Sequence, residues 1–285
     1  MNKIRVGIIG TGNIGTDLLI KVLKSKDLEM VSFVGRRSDS DGILKAQSLN
    51  VNTSTEGLDY FVKNNNVDIV FDCTDAFTAL KNWSFFKNSN IKVIDMTPSK
   101  IGEMCIPIIN GDTIKQHSNI NMVTCGGQSS IPILNLISNC CSDIEYIEIV
   151  SQIASKSAGI ATRLNIDQYI HTTEDAIYKF TKCKKCKVIL NLNPAEPCVD
   201  MQTTMFVKSN DINLEKFQSE LNNRLKMVRE YVPHYEFVML PAINEDGILI
   251  LSIKVRGTGD YLPSYAGNLD IINCAAINLA EKLKK

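Results

Sequence analysis

The N-terminal segment constrains the fold most strongly, because a glycine-rich turn stands directly between an apolar run and a helical pattern. Ile4–Ile9 is typical of a buried parallel strand, and the spacing of residues 16–23 predicts a helix. The turn between them has the spacing G-x-G-x-x-G and consists of Gly10, Thr11, Gly12, Asn13, Ile14 and Gly15. Here the first glycine permits a tight turn, the second lets a pyrophosphate approach, and the third allows close helix–strand packing. The pattern predicts a dinucleotide at the helix N-terminus, and a tight turn without a nucleotide is the alternative.

Further apolar runs predict the rest of an α/β fold. Residues 30–35, 67–72, 91–96 and 120–123 are expected to extend a Rossmann-type, doubly wound parallel sheet, with the last of them at its far side. After about residue 131 the pattern changes to strands and hairpins. They are predicted at residues 143–154, 187–192 and 203–207, and at 235–243 with 248–255 around an Asp-Gly turn, with a helix at 214–228. We therefore predict a dinucleotide-binding domain (1–130), completed by a C-terminal helix (267–285), and a second α+β, largely antiparallel domain (131–266).

A single cysteine is the best candidate for a nucleophile. The apolar residues 120–123 lead to Cys125, which is followed by Gly126 and Gly127 and then by a segment of helical character, roughly 129–139. A thiol at such a strand-to-helix turn meets free backbone N–H groups, which favour the thiolate. The glycines also leave room for a carbonyl carbon to approach the sulfur. A buried cysteine ahead of an ordinary glycine turn is the alternative.

The residues after the second strand bear on the choice of dinucleotide. NAD-type sites commonly end this strand with an acid that binds the ribose hydroxyls, whereas this chain has Arg36, Arg37 and Ser38. Two arginines and a serine suit a 2′-phosphate, which favours NADP, although Asp39 or Asp41 can still reach a ribose. Solvated surface arginines are the alternative.

Composition excludes several classes of protein. Lys+Arg and Asp+Glu both number 31 in 285 residues, which gives no net field for nucleic acid or an anionic membrane. No apolar run reaches spanning length, and nine cysteines without a small secreted context indicate free thiols in a reducing cytoplasm. Cys183 and Cys186 have metal-ligand spacing but no second ligand pair, so we expect no metal site. The histidines His117, His171 and His234 form no recognisable motif.

Five motifs in chain order resemble the acylating, CoA-dependent acetaldehyde dehydrogenases that partner a 4-hydroxy-2-oxovalerate-type aldolase. They are GTGNIGTD at 10–17, NMVTCGGQ at 121–128, SKSAG at 155–159 with Thr162 and Arg163, LNPAEP at 192–197, and YLPSYAGNLD at 261–270.

The resemblance implies that Cys125 carries an acyl-thioester and that the dinucleotide, NAD or NADP, contacts three segments. These are the turn at Thr11–Ile14, the loop Ser157, Ala158, Gly159, Ile160, Ala161, Thr162, Arg163, Leu164 and Asn165, and Asn268. By composition alone the loop is ambiguous, and Asn268 is the expected cap of the last helix. CoA as co-substrate, a homodimer and the aldolase partner are further implications.

The chain departs from this family at three places. Ile160 and Ala161 replace a usual Pro-Gly, Arg37 stands at the usual acid, and Thr203 stands where relatives have an aspartate that assists the chemistry. Asp200 is a possible substitute for that aspartate. Two other functions stay open: a phosphorylating or semialdehyde-type cysteine dehydrogenase, which commonly pairs the cysteine with a histidine, and a nucleotide-binding subunit that only stabilises an aldolase.

Overall fold

The computed structural model describes residues 3–283, which form two sheets flanked by helices. The strands are β1 (Ile4–Ile9), β2 (Leu28–Val34), β3 (Thr53–Ser54), β4 (Ile69–Asp72), β5 (Lys92–Asp95), β6 (Glu103–Met104), β7 (Asn119–Asn121), β8 (Tyr146–Ala154), β9 (Lys185–Asn193), β10 (Met201–Lys208), β11 (Tyr235–Ile243) and β12 (Ile248–Val255). The helices are α1 (Asn13–Lys24), α2 (Asp41–Ser48), α3 (Leu58–Lys63), α4 (Ala76–Phe86), α5 (Pro107–Asn110), α6 (Cys125–Ser138), α7 (Ile160–Leu164), α8 (Ile166–Thr181), α9 (Leu214–Arg229) and α10 (Gly267–Lys282).

The first sheet is parallel throughout and has the order β3-β2-β1-β4-β5-β7-β6. Its central strands are buried on both faces, as βα crossovers require. The predicted Rossmann-type sheet is confirmed. The strand before Cys125 is not at the edge, because the short β6, which the sequence pattern did not predict, pairs outside β7.

The second sheet has the order β11-β12-β10-β8-β9 and is antiparallel except for the β8–β9 pair. A parallel pair needs a crossover, and α8 provides it. The predicted α+β, largely antiparallel sheet is therefore confirmed, whereas α8 was missed in the sequence.

The last helix packs into the core of the first sheet. Its side chains Ile272, Ala275, Ala276 and Leu279 are buried in the same cluster as Val6, Leu18 and Leu19. The domain limits remain predictions, and residues 1, 2, 284 and 285 of the predicted first domain lie outside the described part of the chain. In residues 3–283, no helix has both the length and the apolar character that a membrane crossing requires.

Candidate active site

One cavity of about 860 Å³ joins the glycine-rich turn to Cys125. It lies at the carboxyl ends of the parallel strands, where open α/β sheets bind ligands. The predicted residues that line it are Gly10, Thr11, Gly12, Asn13, Ile14, Arg36, Arg37, Cys125, Ser157, Gly159, Ile160, Ala161, Thr162, Leu164, Asn165 and Asn268. Gly15, Ala158 and Arg163 do not line it.

The glycines of the turn differ in what surrounds them. Gly10 has φ +106°, and a Cβ there would lie 2.5 Å from the Cys73 carbonyl. A Cβ at Gly15 would lie 2.0 Å from the Gly10 oxygen, whereas a Cβ at Gly12 would meet nothing within 4 Å. Gly12 is also the residue before α1, and no side chain caps that helix. The N–H groups at the start of α1 are thus left to the cavity, which suits an anionic ligand.

Asn268 faces the same cavity from α10. The expected cap role is wrong, because Ala266 precedes the helix and Asn268 lies inside its first turn. The side chain is 6% exposed, and among the described residues its Oδ1 has no hydrogen-bond partner. Because an unpaired buried amide oxygen costs free energy, a polar ligand group in the cavity would satisfy it.

The segment at residues 157–165, which the sequence indicated as a loop, contains regular secondary structure. It consists of a 3₁₀ turn (Ser155–Ser157) and the short helix α7. Arg163 folds back onto it, since Nε donates to the Ala158 carbonyl (3.1 Å) and Nη2 to the Ser155 carbonyl (2.8 Å). Arg163 therefore shapes the loop instead of facing the cavity. Ile160 and Leu164 are 78% and 75% exposed at the cavity wall.

Cys125 is the first residue of α6, which begins four residues earlier than the sequence pattern indicated. Thr124 caps the helix by accepting the Gly127 N–H at 3.0 Å. The preceding Val123 has φ +61°, a strained conformation for a β-branched residue. Hydrogen bonds hold this turn: the Val123 N–H donates to Asn121 Oδ1 (2.9 Å), and Gln128 Nε2 donates to the Met122 carbonyl (2.8 Å). The position of the sulfur is thus fixed by its neighbours.

The thiol of Cys125 is half-buried between the two cores, and it packs against both. Burial raises its pKa to about 11, although the Tyr169 hydroxyl and backbone N–H groups of Cys125 and Gly126 act in the opposite direction. The helix N–H groups do favour the anion, but removal of the sulfur from water outweighs them.

Tyr169 is the residue of this site that sequence reasoning missed. Its hydroxyl lies 3.8 Å from the Cys125 sulfur, and the side chain is 6% exposed. It projects from α8, which is tied to the cap of α6 because Thr173 Oγ1 lies 2.7 Å from Thr124 Oγ1. The sequence does contain a signal for α8, because the residues on its buried face recur at helical spacing: Tyr169, Thr172, Thr173, Ala176 and Ile177.

Comparison with known proteins gives the family. Residues 5–117 match the family model "Semialdehyde dehydrogenase, NAD binding domain", and residues 125–263 match "Prokaryotic acetaldehyde dehydrogenase, dimerisation". The chain is 50% identical to the acetaldehyde dehydrogenase of Spirochaeta aurantia over 283 residues, which are 99% of this chain and 95% of that protein. The chain belongs to the acetaldehyde dehydrogenase family. It is also 48% identical to the acetaldehyde dehydrogenase of Pectobacterium atrosepticum, over 99% of this chain and 96% of the relative.

The fold extends to a more distant solved structure. Aspartate semialdehyde dehydrogenase II of Vibrio cholerae, solved as a complex with ASA, matches with a TM-score of 0.67 and 15% identity. The match covers 99% of this chain and 98% of the other. At this identity the likeness concerns the fold alone.

The histidines lie away from the acetaldehyde dehydrogenase cavity. His171 is exposed beside Glu174 at 3.4 Å, His234 is exposed, and His117 neighbours Gln116. No histidine is among the described residues that line the cavity. The phosphorylating alternative, which commonly needs a histidine beside the cysteine, is therefore not favoured.

Two more predicted features have other surroundings. Asp200 pairs with Arg256 at 3.6 Å, and neither Asp200 nor Thr203 lines the cavity, so the substitution of Asp200 for an acid at Thr203 stays a prediction. Arg37 forms a two-bond pair with Asp39, with both distances 3.0 Å and both side chains exposed.

A cluster of three carboxylates surrounds Lys21 of α1. Asp17, Asp260 and Asp270 have metal-ligand spacing, but Lys21 Nζ contacts all three of them.

Proposed function

We propose that this chain is a CoA-acylating acetaldehyde dehydrogenase in which Cys125 is the nucleophile. The observation that carries the proposal is that the Cys125 sulfur and the open Gly12 turn share one cavity. A dinucleotide site alone would need no thiol there, and a structural cysteine would need no cavity. The family membership of the whole chain supports the same reaction.

The dinucleotide is proposed to lie between the turn, the loop and α10. The start of α1 at Thr11–Ile14 would receive the pyrophosphate. Asn268 Oδ1, which has no hydrogen-bond partner among residues 3–283, would meet a polar group of the cofactor. Residues 157–165 would cover it, with Ile160 and Leu164 as apolar contacts. Bound NAD supplies the acceptor for a hydride. The match of residues 5–117 to an NAD-binding domain supports NAD.

The chain's own groups account for the remaining chemistry. The Cys125 sulfur attacks the aldehyde carbonyl and forms a hemithioacetal, and backbone N–H groups at the start of α6 stabilise the oxyanion. Loss of the hydride leaves a thioester on Cys125, which the CoA thiol then cleaves to release acyl-CoA. The partial burial of the sulfur limits competing hydrolysis.

The assembly and location are proposed on separate grounds. A homodimer is supported by the dimerisation match at residues 125–263 and by the exposed Val238, Leu240 and Ile243 on the edge strand β11. The aldolase partner rests on the motif resemblance. A cytoplasmic location is supported by nine free cysteines.

The decisive assay is absorbance at the reduced-nicotinamide band with acetaldehyde, CoA and either NAD or NADP. We expect CoA-dependent reduction that is lost in Cys125→Ala and retained in Cys198→Ala, a partly buried cysteine outside the cavity. The comparison of NAD with NADP decides whether Arg36 and Arg37 receive a 2′-phosphate. Reduction that needs phosphate instead of CoA, or no reduction with either dinucleotide, contradicts the proposal.

A further inference from the structure

Several groups influence the pKa of the Cys125 thiol, and the Tyr169 hydroxyl is the side-chain group among them. Besides burial, these influences are that hydroxyl and two backbone N–H groups, and no charged side chain of the described residues is among them. The contact depends on Gly126, because a Cβ there would lie 2.1 Å from the Tyr169 oxygen. The glycine after the cysteine therefore makes room for the tyrosine.

Behind Tyr169 lies a chain of buried hydroxyl groups. Ser151 Oγ lies beside the Tyr169 hydroxyl, since a Cβ at Gly126 would lie 3.0 Å from the first and 2.1 Å from the second. Ser151 acts toward a lower pKa of that hydroxyl, as a donor does. Its Oγ lies 3.1 Å from Thr203 Oγ1, and Thr203 Oγ1 lies 2.8 Å from Ser129 Oγ. Ser151, Thr203 and Ser129 are at most 1% exposed. Four hydroxyls from α8, β8, β10 and α6 thus form a line that ends at the sulfur.

While the sulfur is a thiol, its S–H donates to the Tyr169 hydroxyl at 3.8 Å, and once that proton is lost the hydroxyl becomes the donor to the thiolate. The rest of the chain can supply protons to Tyr169 in that state. The Gly126 carbonyl accepts Ser129 Oγ at 2.9 Å, but it also accepts Ser130 Oγ at 2.8 Å. Ser129 can therefore turn its proton to Thr203 without leaving that carbonyl unpaired. Thr203 then donates to Ser151, and Ser151 donates to Tyr169. The Gly126 N–H also acts toward a lower pKa of Tyr169, as a donor does, so the Tyr169 proton is free for the thiolate.

We infer that Tyr169 is a catalytic residue that donates a hydrogen bond to the Cys125 sulfur, and that Ser151, Thr203 and Ser129 are positioning residues that orient its hydroxyl. The inference rests on the proposed nucleophilic role of Cys125. A hydrogen bond to the charged form favours that form, so the donor offsets part of the cost of a thiolate in this half-buried position. Tyr169 itself remains protonated, because burial and the neighbouring Cys125 raise its own pKa.

The test is the pH dependence of Cys125 alkylation by iodoacetamide, followed by mass spectrometry of the Cys125 peptide. Tyr169→Phe removes the hydroxyl and keeps the ring. We expect its alkylation below the thiol pKa to be about tenfold slower, with the pH profile displaced upward by about one unit. Tyr178→Phe is the control, since Tyr178 lies on the same helix and is 41% exposed away from the cavity; its profile should match wild type.

A second pair of variants tests the hydroxyl chain. Thr203→Val removes the middle hydroxyl at nearly constant volume and should displace the profile in the same direction, whereas Thr203→Ser should retain the wild-type profile. An unchanged profile in Tyr169→Phe, with thermal unfolding like wild type, overturns the donor role. Equal profiles for Thr203→Val and Thr203→Ser overturn the positioning role. Alkylation needs no turnover, so these results are independent of whether the dehydrogenase assay succeeds.

Discussion

Gly12→Ala separates dinucleotide binding from stability, because the glycine borders open space. A Cβ there meets no protein atom within 4 Å, and the backbone at φ −81° and ψ −168° is extended, so alanine fits without strain. We expect the free energy of unfolding without ligand to change by no more than about 0.5 kcal/mol. The methyl group would instead stand where the pyrophosphate approaches the start of α1.

The loss in affinity follows from the hydrogen bonds at stake. Displacing a phosphate from one backbone N–H removes a charged hydrogen bond worth about 1.5–3 kcal/mol, which is at least about tenfold in Kd. At a concentration one hundred times the wild-type Kd, NAD stabilises the wild type by about 2.7 kcal/mol. A variant with tenfold weaker binding gains only about 1.4 kcal/mol.

The assay is thermal unfolding with and without NAD, combined with isothermal titration. Gly247→Ala is the control, since Gly247 also meets nothing within 4 Å but has φ +75° in the remote β11–β12 turn. It should lower stability and leave the Kd for NAD unchanged. If Gly12→Ala binds NAD with the wild-type Kd, the pyrophosphate does not pass over Gly12 and the reasoning fails.

Two further predictions concern buried charge. Lys21→Met leaves buried carboxylates without their cation and should lower the free energy of unfolding, measured by urea denaturation, by about 3–5 kcal/mol. Lys24→Met changes a side chain that is 64% exposed and should lower it by less than about 1 kcal/mol. Equal losses in the two variants would show that Lys21 does not hold the carboxylate cluster together. Burial and the Asp95 charge raise the pKa of the Asp72 carboxyl to about 7 from 3.8, so the folded state holds the proton more tightly than the unfolded chain. The free energy of unfolding should therefore fall as pH rises from about 4 to about 7. In denaturation measured against pH, Asp72→Asn should flatten this fall, whereas Asp112→Asn, at an exposed carboxyl, should retain it. If the pH curve of Asp72→Asn runs parallel to that of the wild type, Asp72 does not have the raised pKa.

The first sheet was predictable because its strands are short apolar runs at regular spacing, and the Gly10–Gly15 turn has a local steric signature. The start of α6 was harder to place. Cys125, Gly126 and Gly127 are poor helix formers, and only the Thr124 cap and the hydrogen bonds around Val123 make the helix begin there.

Contacts in the site between residues that are far apart in the chain could not be predicted from a single sequence. The approach of Tyr169 to Cys125 depends on α8 packing against α6, and that packing depends on the parallel β8–β9 pair. The acidity of Cys125 depends on its burial, which no local pattern reports. For the same reason Asn268 looked like a cap until the start of α10 was known.

The contact of Cys125 with both hydrophobic cores has a consequence for exchanging parts between relatives. A chimera that takes residues 3–121 from one homologue and the remainder from another would keep every candidate side chain and still join two surfaces that were fitted separately. The sulfur lies on that seam, so a displacement of one layer against the other would move it relative to the Gly12 turn. Recombination is therefore expected to preserve dinucleotide binding more often than turnover, and repair of such hybrids should begin with the α1–α10 contact, which joins the two parents.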